Sequence, residues 1–561
     1  MKTADQVSSN KLRGGFYTPA GLVRVCLDRL DALTSGREGL SVLEPSAGDG
    51  GFIRGLAGHS VSSRVTAVTA IERVATEAAK CRAGASSVAF DLDVVTGSAL
   101  DREHWERPRY DAAIGNPPFV RFQFVPPDDV DAADDLARHL GLSFAGVSNL
   151  WLPVFLAAMT ALKDGGVFAF VVPAEFFTGV SARVARHWLT GHADDLKVDM
   201  FPAGSFPGVL QEVVVISGRA QRACGPAGTG LAGTGPAGTT RTGSVQLLIE
   251  QHGPGGTSRR WQHPVTPDAS TWTGYLLTPA HLDALAELRH LEDVRRLGQL
   301  AKFEVATVTG ANEFFTVDQQ RLDRHQLTAW GLPLLPRVRH APGLRFTTAD
   351  HDSLTDGGAR AYLLSFAADR PEPEGAALAY LRQGEQDGLA SRYKCRIRTP
   401  WYRVPVVAPG ELMLSKRSHH YPRVIVNCAG AHTTDTVYRG RLLPAADRTA
   451  ADLAAAFHNS LTLLTAEMEG RSFGGGVLEL VPSEVGRLLV PVPVGFGAEL
   501  NRLDVIARTG SQRPAHAEPL IEETDRLLAK QVRGLGGPVI ELVQEARHLL
   551  LARRMDRSAS S

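Results

Sequence analysis

The chain has 561 residues, and its 60 basic and 60 acidic side chains give a formal net charge of zero. It is too long for one hydrophobic core, so two or three domains are expected. The even charge balance excludes a global electrostatic argument for nucleic-acid binding. No stretch is long and apolar enough to span a bilayer, so we expect no membrane partner.

Five cysteines are scattered along the chain, and no two of them form a CxxC pair. An odd number without close pairs is typical of a reducing compartment and argues against a zinc ribbon. The amino terminus also lacks the apolar core of a signal peptide. We therefore expect a cytoplasmic protein with no metal site. The cysteines are Cys26, Cys81, Cys224, Cys395 and Cys428.

A glycine-rich turn between a predicted strand and a helix start lies at residues 41–52. Gly48 and Gly50 would let the backbone approach a ligand closely. Glu44 and Asp49 would repel a pyrophosphate but suit a cationic ligand with an ammonium group. S-adenosylmethionine meets that description, whereas the dinucleotide fingerprint G-x-G-x-x-G is not matched.

The next predicted strand covers residues 65–71 and ends at Glu72. An acid at this position of a doubly wound α/β sheet usually accepts a hydrogen bond from a ribose hydroxyl. We therefore predict that Glu72 binds the ribose of a nucleoside-containing ligand, the alternative being a solvated glutamate.

Asn116-Pro117-Pro118-Phe119 follow a short apolar strand predicted over residues 110–115. Ligands of open α/β sheets bind at the carboxyl ends of the strands. The Asn116 side-chain oxygen and the Pro117 carbonyl could accept both hydrogens of a planar amine and return its lone pair to nitrogen. Phe119 could stack on the ring that carries the amine. The alternative interpretation is a turn, because Asn and Pro are common in turns.

Other segments are consistent with a sheet of this kind. Residues 165–173 and 212–216 are predicted buried strands, and residues 149–162 form a helix whose aromatic stripe packs in the core. The Gly-, Ala-, Thr- and Pro-rich tract 224–243 is typical of a flexible loop or linker. Beyond it we expect a helix over 280–297, mixed strands, and an amphipathic helical tail.

Basic and aromatic side chains are interleaved between Ser391 and Arg423, a stretch with the single acid Glu411. Such a mixture suits phosphates and unstacked bases, whereas a solvated surface usually balances its signs. We predict nucleic-acid contact here. The candidate contact residues are Arg392, Lys394, Arg396, Arg398, Trp401, Arg403, Lys416 and Arg417.

With these motifs in order, residues 15–217 resemble the catalytic half of the gamma-class N6-adenine DNA methyltransferases, the TaqI-like enzymes of restriction-modification systems. Gly15-Phe16-Tyr17-Thr18-Pro19 is similar to the motif that contacts the methionine part of the cofactor. Residues 44–50 are similar to the principal cofactor loop. The resemblance implies that S-adenosylmethionine is the cofactor and that its contacts include Thr18, Glu44, Ala47, Gly48, Asp49, Gly50 and Glu72.

Asn116 to Phe119 match the catalytic motif of that class, and Phe206-Pro207-Gly208 resembles a later segment whose phenylalanine packs against the flipped base. One position departs from the family. An aspartate usually binds the adenine amino group of the cofactor, and here Ser98 takes its place. The resemblance implies that Ser98 makes this contact, with Asp101 as the alternative.

Three segments of the second half resemble the target-recognition half of longer members of the family. They are residues 308–315, 393–405 and 470–479. The resemblance implies an α/β fold with a class I S-adenosylmethionine-dependent methyltransferase (Rossmann-like) domain, a mixed α+β target-recognition domain and a C-terminal helical segment. We expect these at residues 1–250, 276–500 and 515–556.

The resemblance implies methyl transfer from S-adenosylmethionine to the N6 amino group of an adenine flipped out of double-stranded DNA. No nuclease-like cluster of Asp, Glu and Lys is evident, so we expect a separately encoded restriction endonuclease to cleave. Protein glutamine N5-methyltransferases share the Asn-Pro-Pro-aromatic motif and remain an alternative. A non-catalytic DNA-binding specificity module and an RNA adenine methyltransferase are the others.

Overall fold

In the computed structural model the chain divides into two compact units, Met1–Pro279 with Ala559–Ser561 and Ala280–Ser558. The structure describes residues 17–84, 88–147, 149–179, 181–202, 205, 212–221, 245–253, 256–266, 271–473, 475–510 and 518–559. The predicted base-stacking residue Phe206, Cys224 and the tract 224–243 lie outside the described residues.

The first unit is built on a nine-stranded sheet with the order β3-β2-β1-β4-β5-β7-β6-β8-β9. Neighbouring strands are parallel from β3 to β5, whereas β7 runs antiparallel to both β5 and β6. The strands are β1 Leu40–Glu44, β2 Val65–Glu72, β3 Asp91–Thr96, β4 Tyr110–Gly115, β5 Leu162–Pro173, β6 Ala193–Met200, β7 Val213–Ala220, β8 Gln246–His252 and β9 Ser258–Pro264.

The centre of this sheet is buried because its strands are continuous apolar runs. Every residue from Gly166 to Pro173 in β5 is buried, as expected for a strand covered on both faces. The helices of the unit are α1 Ala20–Leu33, α2 Gly51–Ala57, α3 Ala75–Gly84, α4 Arg102–Trp105, α5 Pro127–Leu140, α6 Trp151–Thr160, α7 Glu175–Thr178 and α8 Arg183–His192. The predicted aromatic stripe on α6 is core packing, since Phe155 contacts Phe168 and Phe170 edge to face.

A charged cluster fixes helix α1 to strands β6 and β8. Arg29 donates to Asp199 at 2.6 Å and to Glu250 at 3.2 Å, and both acids are buried. Although burial opposes ionisation of Asp199, hydrogen bonds from Arg29 and His252 hold its pKa below the ordinary value. The cluster therefore carries ionised acids at a depth where unpaired charges would be costly.

The strand order reverses between β1 and β4, which are adjacent in the sheet. In open α/β sheets the crevice at such a reversal, outside the carboxyl ends of the strands, is where ligands bind. Both predicted loops, residues 45–50 after β1 and 116–119 after β4, begin at this crevice.

The second unit is a mixture of small sheets and helices, in agreement with the predicted α+β domain. Its sheets have the orders β10-β22, β11-β19-β16-β18-β14, β12-β15-β13 and β17-β21-β20. The strands are β10 Val294–Arg296, β11 Ala301–Glu304, β12 Thr316–Val317, β13 Gly331–Pro333, β14 Arg345–Phe346, β15 Tyr362–Leu364, β16 Leu412–Ser415, β17 Arg417–Ser418, β18 Val424–Asn427, β19 Val437–Leu442, β20 Arg471–Phe473, β21 Val477–Glu479 and β22 Leu489–Pro491.

Twelve α-helices, not counting the 3-10 helices, accompany these strands in the described residues. They are α9 Pro279–Arg289, α10 Asn312–Phe315, α11 Gln319–Arg324, α12 Thr348–Asp356, α13 Gly375–Gln386, α14 Tyr393–Arg396, α15 Ala450–Ala456, α16 Ser460–Glu469, α17 Pro482–Val485, α18 Leu500–Gly510, α19 Glu518–Gln531 and α20 Gly537–Ala559. No helix in the described part of the chain is both long and apolar enough to cross a membrane.

The carboxyl-terminal segment is two helices, α19 and α20, where the sequence predicted one. Gly534, between the two helices, and Gly537, the first residue of α20, both have positive φ, which interrupts a continuous helix. Arg554 of α20 pairs with Glu467 of α16 at 2.6 Å, and both side chains are buried. The tail thus packs into the second unit as part of its core.

Candidate active site

Strands β1 and β4 place two loops against each other at the sheet crevice. Gly115 ends β4, and a Cβ atom on it would lie 2.9 Å from Glu44 Oε1 and 3.3 Å from Pro45 Cδ. Any side chain would therefore push the two strand ends apart. The glycine lets the Asn-Pro-Pro-Phe loop begin in contact with the glycine-rich loop.

Asn116 is held by the hydrogen bonds of its amino group and its backbone. Its Nδ2 donates to Thr18 Oγ1 at 3.0 Å, and Ser46 Oγ donates to its backbone oxygen at 3.0 Å. Its side-chain oxygen Oδ1 is buried and has no hydrogen-bond partner among the described residues. A buried acceptor left open is costly unless a ligand supplies a donor. Thr18 thus orients the amide so that its acceptor is the open group.

The rest of this loop is partly shielded. Pro117 is buried, and Pro118 and Phe119 are half-buried. Phe119 packs at the edge of the core of the first unit. One side of the Phe119 ring packs against protein, which fixes the ring in a position from which it could contact a planar ligand.

Glu72 shapes the glycine-rich loop. Its carboxylate accepts hydrogen bonds from the backbone N–H of Gly48 at 2.8 Å and of Val74 at 2.7 Å. Gly48 has φ of 55°, and a Cβ there would meet no atom within 4 Å. The loop therefore leaves open space over Gly48 for a ligand.

The remaining predicted residues of this loop maintain its turn. Ala47 N–H donates to the carbonyl of Ile71, and Gly50 N–H donates to that of Ala47, both at 2.9 Å. Asp49 pairs with Arg54 at 2.9 Å. The Asp49 charge is thereby partly balanced within the protein.

Glu44 is the acid of the crevice whose carboxyl group has no hydrogen-bond partner among the described residues. It is fully buried. Burial, together with the neighbouring Glu72 carboxylate, raises the pKa of Glu44 well above its ordinary value. A cationic ligand would relieve both the desolvation and the missing hydrogen bonds. The acidic, glycine-lined loop therefore fits S-adenosylmethionine, which carries an ammonium and a sulfonium charge.

Ser98, at the end of the neighbouring strand β3, is joined to an acid that sequence reasoning missed. Ser98 Oγ donates to Asp129 Oδ1 at 2.6 Å, and its backbone N–H donates to Asp101 at 3.0 Å. Asp129 is 3% exposed and forms an ion pair with Arg73. No local motif marks Asp129, because it lies on α5, 31 residues after Ser98.

Asp199, Glu250 and His252 have ligand atoms within 4.8 Å of one another, the usual arrangement of a metal site. Cations of the protein already pair with these acids. Besides Arg29, Arg260 contacts Glu250 at 2.9 Å, and Lys197 pairs with it too. The group is thus a charge-balanced network, and we assign it the role of joining α1 to the sheet.

The predicted nucleic-acid contacts of the second unit fall into two groups. Arg392, Lys394 and Arg396 are exposed around the short helix α14, and no described carboxylate lies within ion-pair distance of them. The other cations have protein partners. Arg398 donates to the carbonyl groups of residues 308 and 309.

The partners of the second group hold the unit together. Arg403 pairs with Glu372 at 2.7 Å. Lys416 and Arg417 share Glu479, at 3.8 and 2.5 Å. Trp401 is buried, and its indole N–H donates to Glu385 at 2.9 Å. These residues have structural contacts whether or not they also touch a ligand.

The sheet, in which β7 runs antiparallel to both of its neighbours, and the loops after β1 and β4 have the fold of the class I S-adenosylmethionine-dependent methyltransferases. Residues 85–201 match the family model of the Eco57I restriction-modification methylase, and residues 269–528 match that of the type II methyltransferase M.Eco57I, C-terminal domain. These two parts of the chain are therefore similar to Eco57I-type restriction-modification methylases.

The chain is also similar to individual proteins. The chain is 23% identical over 495 residues to type II methyltransferase M.XamI of Xanthomonas campestris pv. amaranthicola, covering 85% of each chain. It is 20% identical over 388 residues to type II methyltransferase M.AccI of Acinetobacter calcoaceticus, covering 67% of this chain and 66% of that one. Among solved structures, the type IIG restriction endonuclease BpuSI matches with a TM-score of 0.41 and 13% identity. That match covers 97% of this chain and 66% of the BpuSI chain.

Proposed function

We propose that this protein transfers a methyl group from S-adenosylmethionine to the N6 amino group of an adenine flipped out of duplex DNA. It would be the modification component of a restriction-modification system, with a separately encoded endonuclease as its partner. The observation that carries the proposal is the buried, open side-chain oxygen of Asn116 at the junction of β1 and β4.

Asn116 suits an amine whose lone pair is delocalised into a ring. Thr18 and Ser46 fix the amide, so its open oxygen can accept one N–H of the amine without rearranging. The Pro117 carbonyl is the second acceptor that the motif offers. Two acceptors outside the ring plane favour a lone pair localised on nitrogen, and this electrostatic preorganisation lowers the barrier.

The cofactor, when bound, supplies an electrophilic methyl group on a sulfonium. Glu44 would face its positive charge, Glu72 would present the glycine loop to it, and Thr18 would border it. Ser98 and Asp129 together would offer acceptors to its adenine amino group. The chain's residues therefore contribute orientation and charge, which account for large rate enhancements without a strong general base.

Duplex DNA is the proposed substrate because the relatives that match the chain are named type II methyltransferases. An amino nitrogen inside a base stack cannot be reached, so the adenine must be extruded. Phe119 would contact the extruded base from one side, and Phe206, outside the described residues, is proposed for the other.

The test is transfer of radiolabelled methyl groups from S-adenosylmethionine to plasmid DNA, RNA and protein acceptors. We expect label in DNA as N6-methyladenine. Asn116→Ala should lower transfer by about 100- to 1,000-fold if its role is comparable to that of an oxyanion-hole donor, and leave cofactor binding nearly unchanged. Asn501→Ala, an exposed asparagine in the second unit, is the matched control.

Each rival function has its own outcome in this assay. Label on the glutamine of a protein acceptor would favour a glutamine methyltransferase, and label on RNA would favour the RNA enzyme. A protein that binds DNA and the cofactor but labels nothing would be a non-catalytic module. Full turnover by Asn116→Ala would refute the proposed site.

A further inference from the structure

Exposed apolar side chains collect at one place on the second unit. Eight large hydrophobic residues are exposed among the described residues, and four of them belong to two segments that are far apart in sequence. Val305 and Val308 are 44% and 37% exposed, and Tyr393 and Ile397 are 63% and 62% exposed. We call these four residues the apolar surface.

The two segments are in direct contact. The guanidinium of Arg398 donates to the carbonyl of Val308 at 2.8 Å and to that of Thr309 at 2.7 Å. Gly310 lies so close to helix α14 that a Cβ on it would be 2.7 Å from Lys394 Cβ. The two segments that carry the apolar surface are therefore joined at Arg398 and at Gly310.

Positive charge borders the apolar surface. Arg392, Lys394 and Arg396 are exposed, and none of them has a carboxylate partner among the described residues. Lys394 Nζ and Arg396 Cζ lie 5.4 and 5.5 Å from the centre of the Tyr393 ring. Cation–π contacts at exposed sites are weak, so both cations can be recruited by phosphates at little cost.

We propose that the apolar surface binds duplex DNA, with Tyr393 and Ile397 inserted against base pairs while Arg392, Lys394 and Arg396 neutralise the flanking phosphates. This inference rests on the proposed function. Apolar side chains that enter a base stack unstack a step and are flanked by phosphate contacts. The charge pattern favours DNA over a protein partner, since three exposed cations lie within five residues and no described carboxylate is within ion-pair distance of them.

The same contacts distinguish the two groups of predicted nucleic-acid contact residues, those with acidic partners and those without. Among the predicted contact residues, Arg403, Lys416 and Arg417 are already paired with acids. The unpaired Arg392, Lys394 and Arg396 flank the exposed Tyr393 in the sequence. A duplex bound here would contact apolar side chains at the centre of the surface and cationic side chains at its edge. Tyr393 and Ile397 are accordingly assigned as residues that open the stack, a step that base extrusion requires.

The experiment uses the full chain and a fluorescent duplex carrying the methylated sequence, mapped beforehand by sequencing. Tyr393→Ala and Ile397→Ala are compared with Val505→Ala, which removes an equally exposed side chain, 63% exposed, from α18. Anisotropy should show a loss of affinity of about 5- to 150-fold for Tyr393→Ala, the range for one stacked base. Val505→Ala should bind like the wild type. Thermal melting followed by circular dichroism verifies folding.

Salt dependence separates insertion from phosphate contact. Tyr393→Ala should leave the slope of log affinity against log salt unchanged, whereas Lys394→Gln should reduce its magnitude by about 0.9. A 2-aminopurine placed next to the target adenine should brighten on binding of the wild type and much less with Tyr393→Ala, because its fluorescence reports unstacking.

Several results would overturn the inference. One is that Tyr393→Ala and Ile397→Ala bind the duplex as tightly as Val505→Ala. Another is that sedimentation shows wild-type self-association that Tyr393→Ala abolishes while DNA affinity is unchanged, which would make the surface a protein interface. Binding is measured without methyl transfer, and a duplex of mixed sequence is the probe if sequencing maps no methylated motif. A wild type that binds this duplex but methylates nothing therefore refutes the proposed function alone.

Discussion

Asn116 and Glu44 lie at neighbouring strand ends, and each has buried oxygen atoms with no hydrogen-bond partner in the part of the chain that the structure describes. Native proteins rarely bury such atoms unless a ligand completes them. One of them is a neutral acceptor and the other is an acid. Because the two residues are neighbours, the neutral acceptor could hold a planar amine while the acid holds a cationic methyl donor beside it.

Glu44 gives a pH-dependent prediction. Its raised pKa means that the ligand-free folded protein keeps a proton that the unfolded chain releases above the ordinary value of 4.5. Stability is therefore lost as pH rises from that value toward the folded pKa. Glu44→Gln cannot ionise, so it should melt above the wild type at pH 7 and alongside it at pH 4. The shift should be roughly 2–4 °C for each kcal/mol recovered.

The same substitution should weaken cofactor binding, because the charge that would face the ligand is lost. We expect the dissociation constant, measured by titration calorimetry at pH 7, to rise about tenfold or more, which is about 1.4 kcal/mol. Glu103→Gln, at an exposed glutamate, is the control for both measurements. Unchanged binding and an unchanged melting profile would contradict the role given to Glu44.

Sequence identifies single residues well where a motif is local. The positions of Asn116, Glu72 and the glycines of the loop after β1 could be predicted because each lies at or just after the end of a strand, while their roles stay predictions. Asp129 could not, because its relation to Ser98 exists only in the folded sheet. The basic stretch shows the same limit, since the sequence does not reveal that Arg403 and Arg417 have acidic partners.

At the scale of elements, apolar runs predicted the central strands closely. The strand predicted over 110–115 is β4 without change, and that over 165–173 is the buried part of β5. The helix predicted over 280–297 was wrong at its end. It stops at Arg289, and Val294 starts a strand that pairs with β22. Where such a helix ends depends on pairing with a strand that is distant in the sequence, which a local pattern does not reveal.

Gly115 links β1 to β4, and we expect Gly115→Ala to separate them. The added methyl group would overlap Glu44 and Pro45, at a cost of about 1–3 kcal/mol. Methyl transfer should fall about tenfold or more, since a small displacement of a catalytic group has large effects. Calorimetry and the radiolabel assay measure the two changes.

Gly191→Ala is the matched control for that substitution. Gly191 lies in helix α8 with nothing within 4 Å of its added Cβ. It should stabilise the protein by up to about 1 kcal/mol, because alanine is the better helix former. If Gly115→Ala behaved like this control in melting and in turnover, the close contact of β1 and β4 would not matter.

For the whole molecule, length predicted several domains, and the chain has two compact units that meet at Pro279 and Ala280. The net charge of zero gave no hint of a nucleic-acid partner. The charges matter locally, where three exposed cations around Tyr393 have no carboxylate partner among the described residues, whereas Arg403 and Arg417 are paired with acids. The tail, predicted as a separate helix, belongs to the second unit.

The central claim is that Asn116 presents a DNA adenine for N6 methylation. Sequencing that reports modified bases, applied to DNA from cells expressing the wild type or Asn116→Ala, tests it most directly. We predict N6-methyladenine at one sequence motif with the wild type and none with the variant. Unmodified adenines with a folded, cofactor-binding wild type, or the same marks with Asn116→Ala, would contradict the account.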